Sequence, residues 1–262
     1  MLPIMLKLYS IYLGLWTMNK IRRQPLLGSI FIALASLITA ACDSGGRSPG
    51  EGSPVCGTTK ITPIGDSITQ ANTSHASYRR SLFFKLSERY NVDFVGSTRS
   101  NFGGSNPNSD FDLDHEGHWG WTTDQVLARL NGWLQGRVPD IAIIHLGTND
   151  LLKQNQSGAD IANELSQVIG VLRNNNPNVG VVLSTVIPNA RVSVSDLNYN
   201  IRQLPGQLSS GSSPIVLAEH SDVSTGDTYD GIHPNPNGEQ KMANNFASSV
   251  DQLANQIAVC RA

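Results

Sequence analysis

From Lys60 onward, short apolar runs alternate with stretches in which apolar residues recur every three or four positions. The runs are KITPIG (60–65), VDFVGS (92–97), PDIAIIHLG (139–147), VGVVLSTVIP (179–188) and PIVLAEH (214–220), and each predicts a strand. The near-continuous apolar character of the third and fourth suits strands buried on both faces of a parallel sheet. Between the runs, Leu82, Leu86 and Tyr90 predict one helix, and Val126, Leu127, Leu130 and Trp133 or Leu134 a second, with Thr122 or Thr123 as its N-cap. Ile161, Leu165, Val168, Ile169 and Leu172 mark a third, SDLNYNIRQL (195–204) a fourth, and a last helix is expected from near Glu239. Residues 98–121 read as a long Gly-, Asn-, Asp- and His-rich loop. This order predicts an α/β fold, a three-layer α/β/α sandwich around a mainly parallel five-stranded sheet. In such sheets ligands bind beyond the carboxyl ends of the strands, which is where GDS (65–67) and GTND (147–150) fall.

The first 41 residues follow a different pattern. From Met18, a basic start (Lys20, Arg22, Arg23) leads into an apolar run ending in small residues at Ala41, as an export signal does. A short transmembrane anchor is the alternative, although the run is shorter than the roughly 20 residues of a membrane span. LITAAC (37–42) resembles a lipobox, so Cys42 is a candidate for lipidation, with simple cleavage and secretion as the alternative. Residues 42–56 form a Gly/Ser/Pro-rich linker without a core-forming pattern, and 57–262 the folded domain. Cys56 and Cys260 flank that domain, and an oxidising compartment predicts a disulfide between them, worth about 4 kcal/mol in the chain-entropy picture. Two free thiols are the alternative. The expected location is periplasmic or extracellular, with membrane contact only through a lipid on Cys42.

Composition narrows the function. A chain of 262 residues with a net charge of -2 has no basic footprint for nucleic acid. The P-loop, G-x-G-x-x-G, HExxH and CxxC are absent from it, and no G-x-S-x-G stands at a strand-to-helix elbow, the one match, GRSPG (46–50), lying in the linker. Four stretches remain: GDSIT (65–69), GHWGWTT (117–123), HLGTND (145–150) and YDGIHPNPNGEQ (229–240). Each alone has an ordinary structural reading, as a helix cap, a Gly-rich turn or an Asn at a strand end.

Together and in this order, GDSIT, the Gly before Trp121, GTND and DGIHPN resemble the four blocks of the SGNH hydrolases, also called GDSL-like esterases. The resemblance spans roughly residues 58–250 and implies their flavodoxin-like sandwich. DHEGHWGWTT (114–123) with HLGTND is most similar to the acetylxylan esterases of carbohydrate esterase family three. The chain departs from that branch at Trp119, where a small residue is expected; this bears on the acyl or sugar pocket.

The chemistry follows. A neutral Ser67 hydroxyl needs a base, and His233 can supply one, because an imidazole accepts and returns protons near neutral pH. Asp230, three residues earlier, can fix the tautomer and stabilise the imidazolium. The resemblance implies the backbone N–H groups of Ser67 and Gly120 and the Asn149 amide as oxyanion donors. Asp66 is expected to hold the Ser67 turn, Tyr229 to pack, and Trp121 and Trp119 to be candidate sugar contacts. The carboxylates and histidines of SDFDLDHEGH (109–118) suggest either a hard-cation site or a solvated polar loop whose groups bond internally. No cofactor or metal is required for ester hydrolysis by these groups. The expected activity is deacetylation of xylan or a related polysaccharide. The alternatives are a lipase, lysophospholipase or thioesterase on the same fold, and a non-catalytic carbohydrate-binding lipoprotein.

Overall fold

The structure, a computed structural model, describes residues 57–262. The export segment, the linker, Cys42 and Cys56 lie outside the described residues. Among the described residues no helix is long and apolar enough to cross a membrane.

Strands β1 (Thr59–Gly65), β2 (Val92–Phe94), β4 (Ile141–His145), β5 (Gly180–Ser184) and β6 (Ile215–Ala218) pair in the order β2-β1-β4-β5-β6. Every pairing is parallel. A sixth strand, the two-residue β3 (Glu116–Gly117), adds to β1 inside the segment expected to be loop. No periodicity can announce two residues. Gly117 is needed there because a Cβ would lie 2.5 Å from the Gln70 backbone nitrogen.

β4 and β5 are buried on both faces, as their apolar runs predict, and successive strand residues serve opposite cores. Ile61, Ile141, Ile143 and Val182 pack with helices α2 (Tyr78–Ser87) and α6 (Pro236–Leu253) through Leu82, Leu86, Phe246 and Val250. Ile64, Ala142, Ile144, Val181 and Leu183 face α3 (Thr123–Trp133), α4 (Gly158–Asn175) and α5 (Ser195–Leu208), which contribute Val126, Leu130, Leu165, Val168, Leu197 and Ile201. Each buried Val, Leu, Ile or Phe side chain among them contributes about 1.5–3 kcal/mol. The last helix begins at Pro236, three residues before the expected start. Asn235 caps it by accepting from the N–H groups of Asn237 and Gly238, and proline fits the first helical turn, where its missing N–H is not needed.

The chain adds β2 on one side of β1 and then β4, β5 and β6 on the other. The direction of winding therefore changes between β1 and β4, whose last residues, Gly65 and His145, are paired. Cys260, near the C-terminus, is disulfide-bonded. Its backbone N–H donates to Thr59 Oγ1 (2.8 Å) and its carbonyl accepts from Asn91 N (2.8 Å), tacking the end of the chain to the start of β1.

Candidate active site

β1 ends at Gly65, and the chain turns at Asp66 into the single-turn helix α1 (Ser67–Gln70). A Cβ on Gly65 would lie 2.1 Å from Thr69 Oγ1, so the turn closes this tightly only with glycine there. Asp66 is fully buried; its Oδ1 accepts from Ile68 N (2.9 Å) and its Oδ2 from Asn149 Nδ2 (3.3 Å). Burial pushes its carboxyl up to about 7, and nearby Asp150 adds to the rise. Asp66 thus fixes the turn and ties it to β4, as its sequence position suggested.

Ser67 Oγ lies 2.9 Å from His233 Nε2. His233 Nδ1 lies 2.8 Å from Asp230 Oδ2. Asp230 Oδ1 accepts from His233 N (2.8 Å) and Ile232 N (3.0 Å), so one carboxylate organises both the ring and the turn that carries it. Partial burial pushes the Asp230 carboxyl up, but the bonds from His233 and Ile232 outweigh it and hold it at about 2. An ionised Asp230 accepting at Nδ1 leaves Nε2 as the proton acceptor facing Ser67.

Gly120 has φ +77°, a conformation that favours glycine, and a Cβ there would meet Lys153 Nζ at 2.8 Å. The Lys153 ammonium instead donates to the Gly120 carbonyl. On the preceding residue, Trp119 N donates to Gln70 Oε1 (2.7 Å). Gln70 and Lys153 therefore clamp the two sides of this peptide. Sequence reasoning missed both, because neither lies in a recognisable motif. Asn149 Nδ2 also donates to Trp121 O (3.0 Å), which fixes the amide. Among the described residues, the backbone N–H groups of Ser67 and Gly120 have no hydrogen-bond acceptor. Ser67, Gly120, Asn149 and His233 line one cleft of about 560 Å³, together with Leu152, Ile232 and others.

Trp119 stacks on the His233 ring (centroids 4.8 Å apart) and on Phe102 (4.7 Å). It lines both the Ser67 cleft and an adjoining one formed with Asn72, His75 and Tyr229. Tyr229, expected to pack, is 58% exposed at this mouth, beside His75. Trp121 departs from expectation in the opposite sense. Its ring packs on His118 and Trp133 with the Arg129 guanidinium 5.0 Å from its centroid, so the apolar surface behind α3 takes it rather than the cleft.

The polar loop is bonded internally. Asp110 pairs with Arg80, Asp114 with Arg99, Glu116 with Ser97 and His118, and Asp112 Oδ2 accepts from Phe94 N. The loop is anchored by Arg79, fully buried, which donates to the carbonyls of Thr69, Gln70 and Leu113 and to Asn101 Oδ1. Burial lowers the Arg79 pKa to about 10. A helical arginine next to Tyr78 gave no sign in the sequence that it would be interior. His145 is also interior, facing His220 (ring centroids 5.9 Å apart) rather than the cleft, and burial lowers its pKa to about 4.

Known proteins share this fold. The crystal structure of a carbohydrate esterase of family 3 from Talaromyces cellulolyticus superposes with a TM-score of 0.68 at 27% identity, covering 77% of this chain and all of that one (100%). A family 3 carbohydrate esterase of Clostridium thermocellum gives 0.64 at 30% identity, over 76% of this chain and 98% of the other. A multidomain esterase of Ruminococcus flavefaciens is 28% identical over 228 residues, 76% of this chain; the chain spans only 29% of that protein's length. The profile of the GDSL-like lipase/acylhydrolase family matches residues 64–241, from the end of β1 into α6. The chain, folded as an α/β SGNH hydrolase, belongs to the GDSL-like lipase/acylhydrolase family.

Proposed function

We propose that this protein is a serine ester hydrolase that removes small acyl groups, acetyl above all, from a polysaccharide such as xylan. The observation that carries the reading is the chain of contacts from Ser67 Oγ through the His233 ring to Asp230, opening on one cleft. Ser67 Oγ attacks the ester carbonyl as His233 Nε2 takes its proton, and Asp230 stabilises the resulting imidazolium. The oxyanion is received by Ser67 N, Gly120 N and the Asn149 amide, which gives up its long 3.3 Å bond to Asp66 to do so. The imidazolium returns the proton to the departing sugar hydroxyl. Water, deprotonated by the same ring, then attacks the acyl-Ser67 ester, and the ring returns that proton to Ser67 Oγ as the acid leaves.

The preference for a small acyl group rests on the lining. Leu152, Val192 and Ile232 offer limited apolar wall, while Lys153, Arg191 and Thr148 share the cleft, so among the described residues no long apolar trough leads from Ser67. The sugar reading rests on Trp119, Tyr229 and Phe102, aromatic faces grouped at the mouth, and on likeness to two family 3 carbohydrate esterases.

The test is acetate release from acetylated xylan by the full chain and by Ser67→Ala, beside hydrolysis of short- and long-chain aryl esters. We expect acetate release, a strong preference for the short esters, and a loss of about 10⁴–10⁶ in kcat for Ser67→Ala. Cleavage of long-chain esters with no acetate from xylan would support a lipase instead. Turnover that survives Ser67→Ala would remove the mechanism.

A further inference from the structure

We propose that the three carboxylates of Asp124, Asp150 and Glu164 form a calcium-binding site that pins the start of α3 and the GTND turn onto α4. One carboxylate oxygen from each residue lies within 4.8 Å of one from each of the others. Calcium holds oxygens at about 2.3–2.6 Å, so two ligands on opposite sides of one ion stand about 4.6–5.2 Å apart. The three oxygens can therefore share one ion with little rearrangement.

The cluster is more than three acids side by side. Asp150 is fully buried; its Oδ1 accepts from Thr123 N (2.8 Å), while its Oδ2 is buried without a partner. Glu164 repeats the pattern: Oε1 accepts from Gln156 Nε2 (2.7 Å) and Oε2 is buried without a partner. The neighbours that hold these groups also keep unused oxygens, since Thr123 Oγ1 and Gln156 Oε1 are buried and unpartnered. None of the three acids forms an ion pair with a Lys, Arg or His among the described residues. Unpartnered oxygens in a buried place are costly. A hard cation that takes six to eight oxygens, charged and neutral, would satisfy them together. Asp124, at the exposed edge, leaves a route for the ion and for water ligands.

The location gives such an ion a role. Asp150 follows Asn149, and Thr123 lies three residues after Gly120. The ion would brace, from behind, the two segments carrying the candidate oxyanion donors outside Ser67. The site itself does not depend on the esterase reading.

The test uses the full-length chain, stripped with EDTA and titrated with calcium chloride by calorimetry, with Tm followed in parallel. We expect one calcium per chain and a rise in Tm of about 5–10 °C at calcium about a hundredfold above Kd. Glu164→Gln should weaken binding at least about tenfold, and so should Asp124→Asn, an exposed change that leaves the core intact. Absence of heat and of any Tm shift up to about 10 mM calcium, above the weakest extracellular calcium modules, overturns the proposal. So does calcium binding that both variants leave unchanged.

Discussion

The two sides of the Ser67 hydroxyl are built in different ways. On one side, Asp66, Ser67 and Asn149 stand at the ends of adjacent buried strands, with Asp66 shut away from water. On the other, Asp230 and His233 sit on an irregular segment held by its own turn bonds, Tyr229 N to His233 O and Gly231 N to Thr228 Oγ1 among them. The Asp230 side chain is 44% exposed. The same functional group therefore behaves oppositely in the two places. Burial raises Asp66 to about 7, whereas hydrogen bonds hold Asp230 at about 2. Oxyanion donors gain from rigidity, since they must already point where charge will develop. A proton carrier needs an ionised partner and contact with water, which an open turn supplies.

Breaking the buried side should have the larger effect. Asn149→Ala removes a candidate oxyanion donor and the link from β4 to Asp66, and should lower kcat about 10²–10³-fold with little change in KM. The measurement is steady-state kinetics on a short aryl ester. Asp230→Asn should cost less, about 10–10²-fold, because water screens a half-exposed carboxylate and can partly replace it. If Asp230→Asn proves the more damaging of the two, the contrast drawn here is wrong.

The pH dependence of stability sharpens the same comparison. Asp66 binds its proton more tightly folded than unfolded, since its carboxyl rises from 3.8 to about 7. Its contribution is therefore most favourable below about 4 and declines as pH rises toward about 7. Asp230 has the opposite sign: it falls from 3.8 to about 2, so its contribution is present above 3.8 and is lost as pH falls through about 2. Thermal unfolding from pH 4 to 7.5 should show a smaller decline in Tm for Asp66→Asn than for the parent. An unchanged slope would mean that Asp66 does not carry it.

The smallest effect is expected at the mouth. Tyr229→Ala removes an exposed ring while leaving its backbone bond to His233 in place. KM for acetylated xylan should rise about 2–5-fold, with kcat/KM for a small aryl acetate unchanged. Equal losses on both substrates would assign Tyr229 to positioning His233 rather than to binding sugar.

Periodicity and motif spacing carried much of this protein. The five apolar runs became the five main strands, most clearly β4 and β5, where burial on both faces leaves little room for polar positions. Thr122, one of the two threonines expected there, is the N-cap of α3, and its N–H donates to Gln125 Oε1. GDS and GTND fell at neighbouring strand ends for a topological reason, since the winding reverses between β1 and β4. Tertiary structure alone decided which groups are sealed from water and what touches them. Arg79 became interior because loop carbonyls converge on it, Trp121 turned to the α3 surface, and Trp119 came to stack on His233. Asp124, Asp150 and Glu164 met although they come from separate segments. Period and local chemistry are written along the chain, while burial and long-range contact depend on how distant segments pack, which no short stretch of sequence encodes.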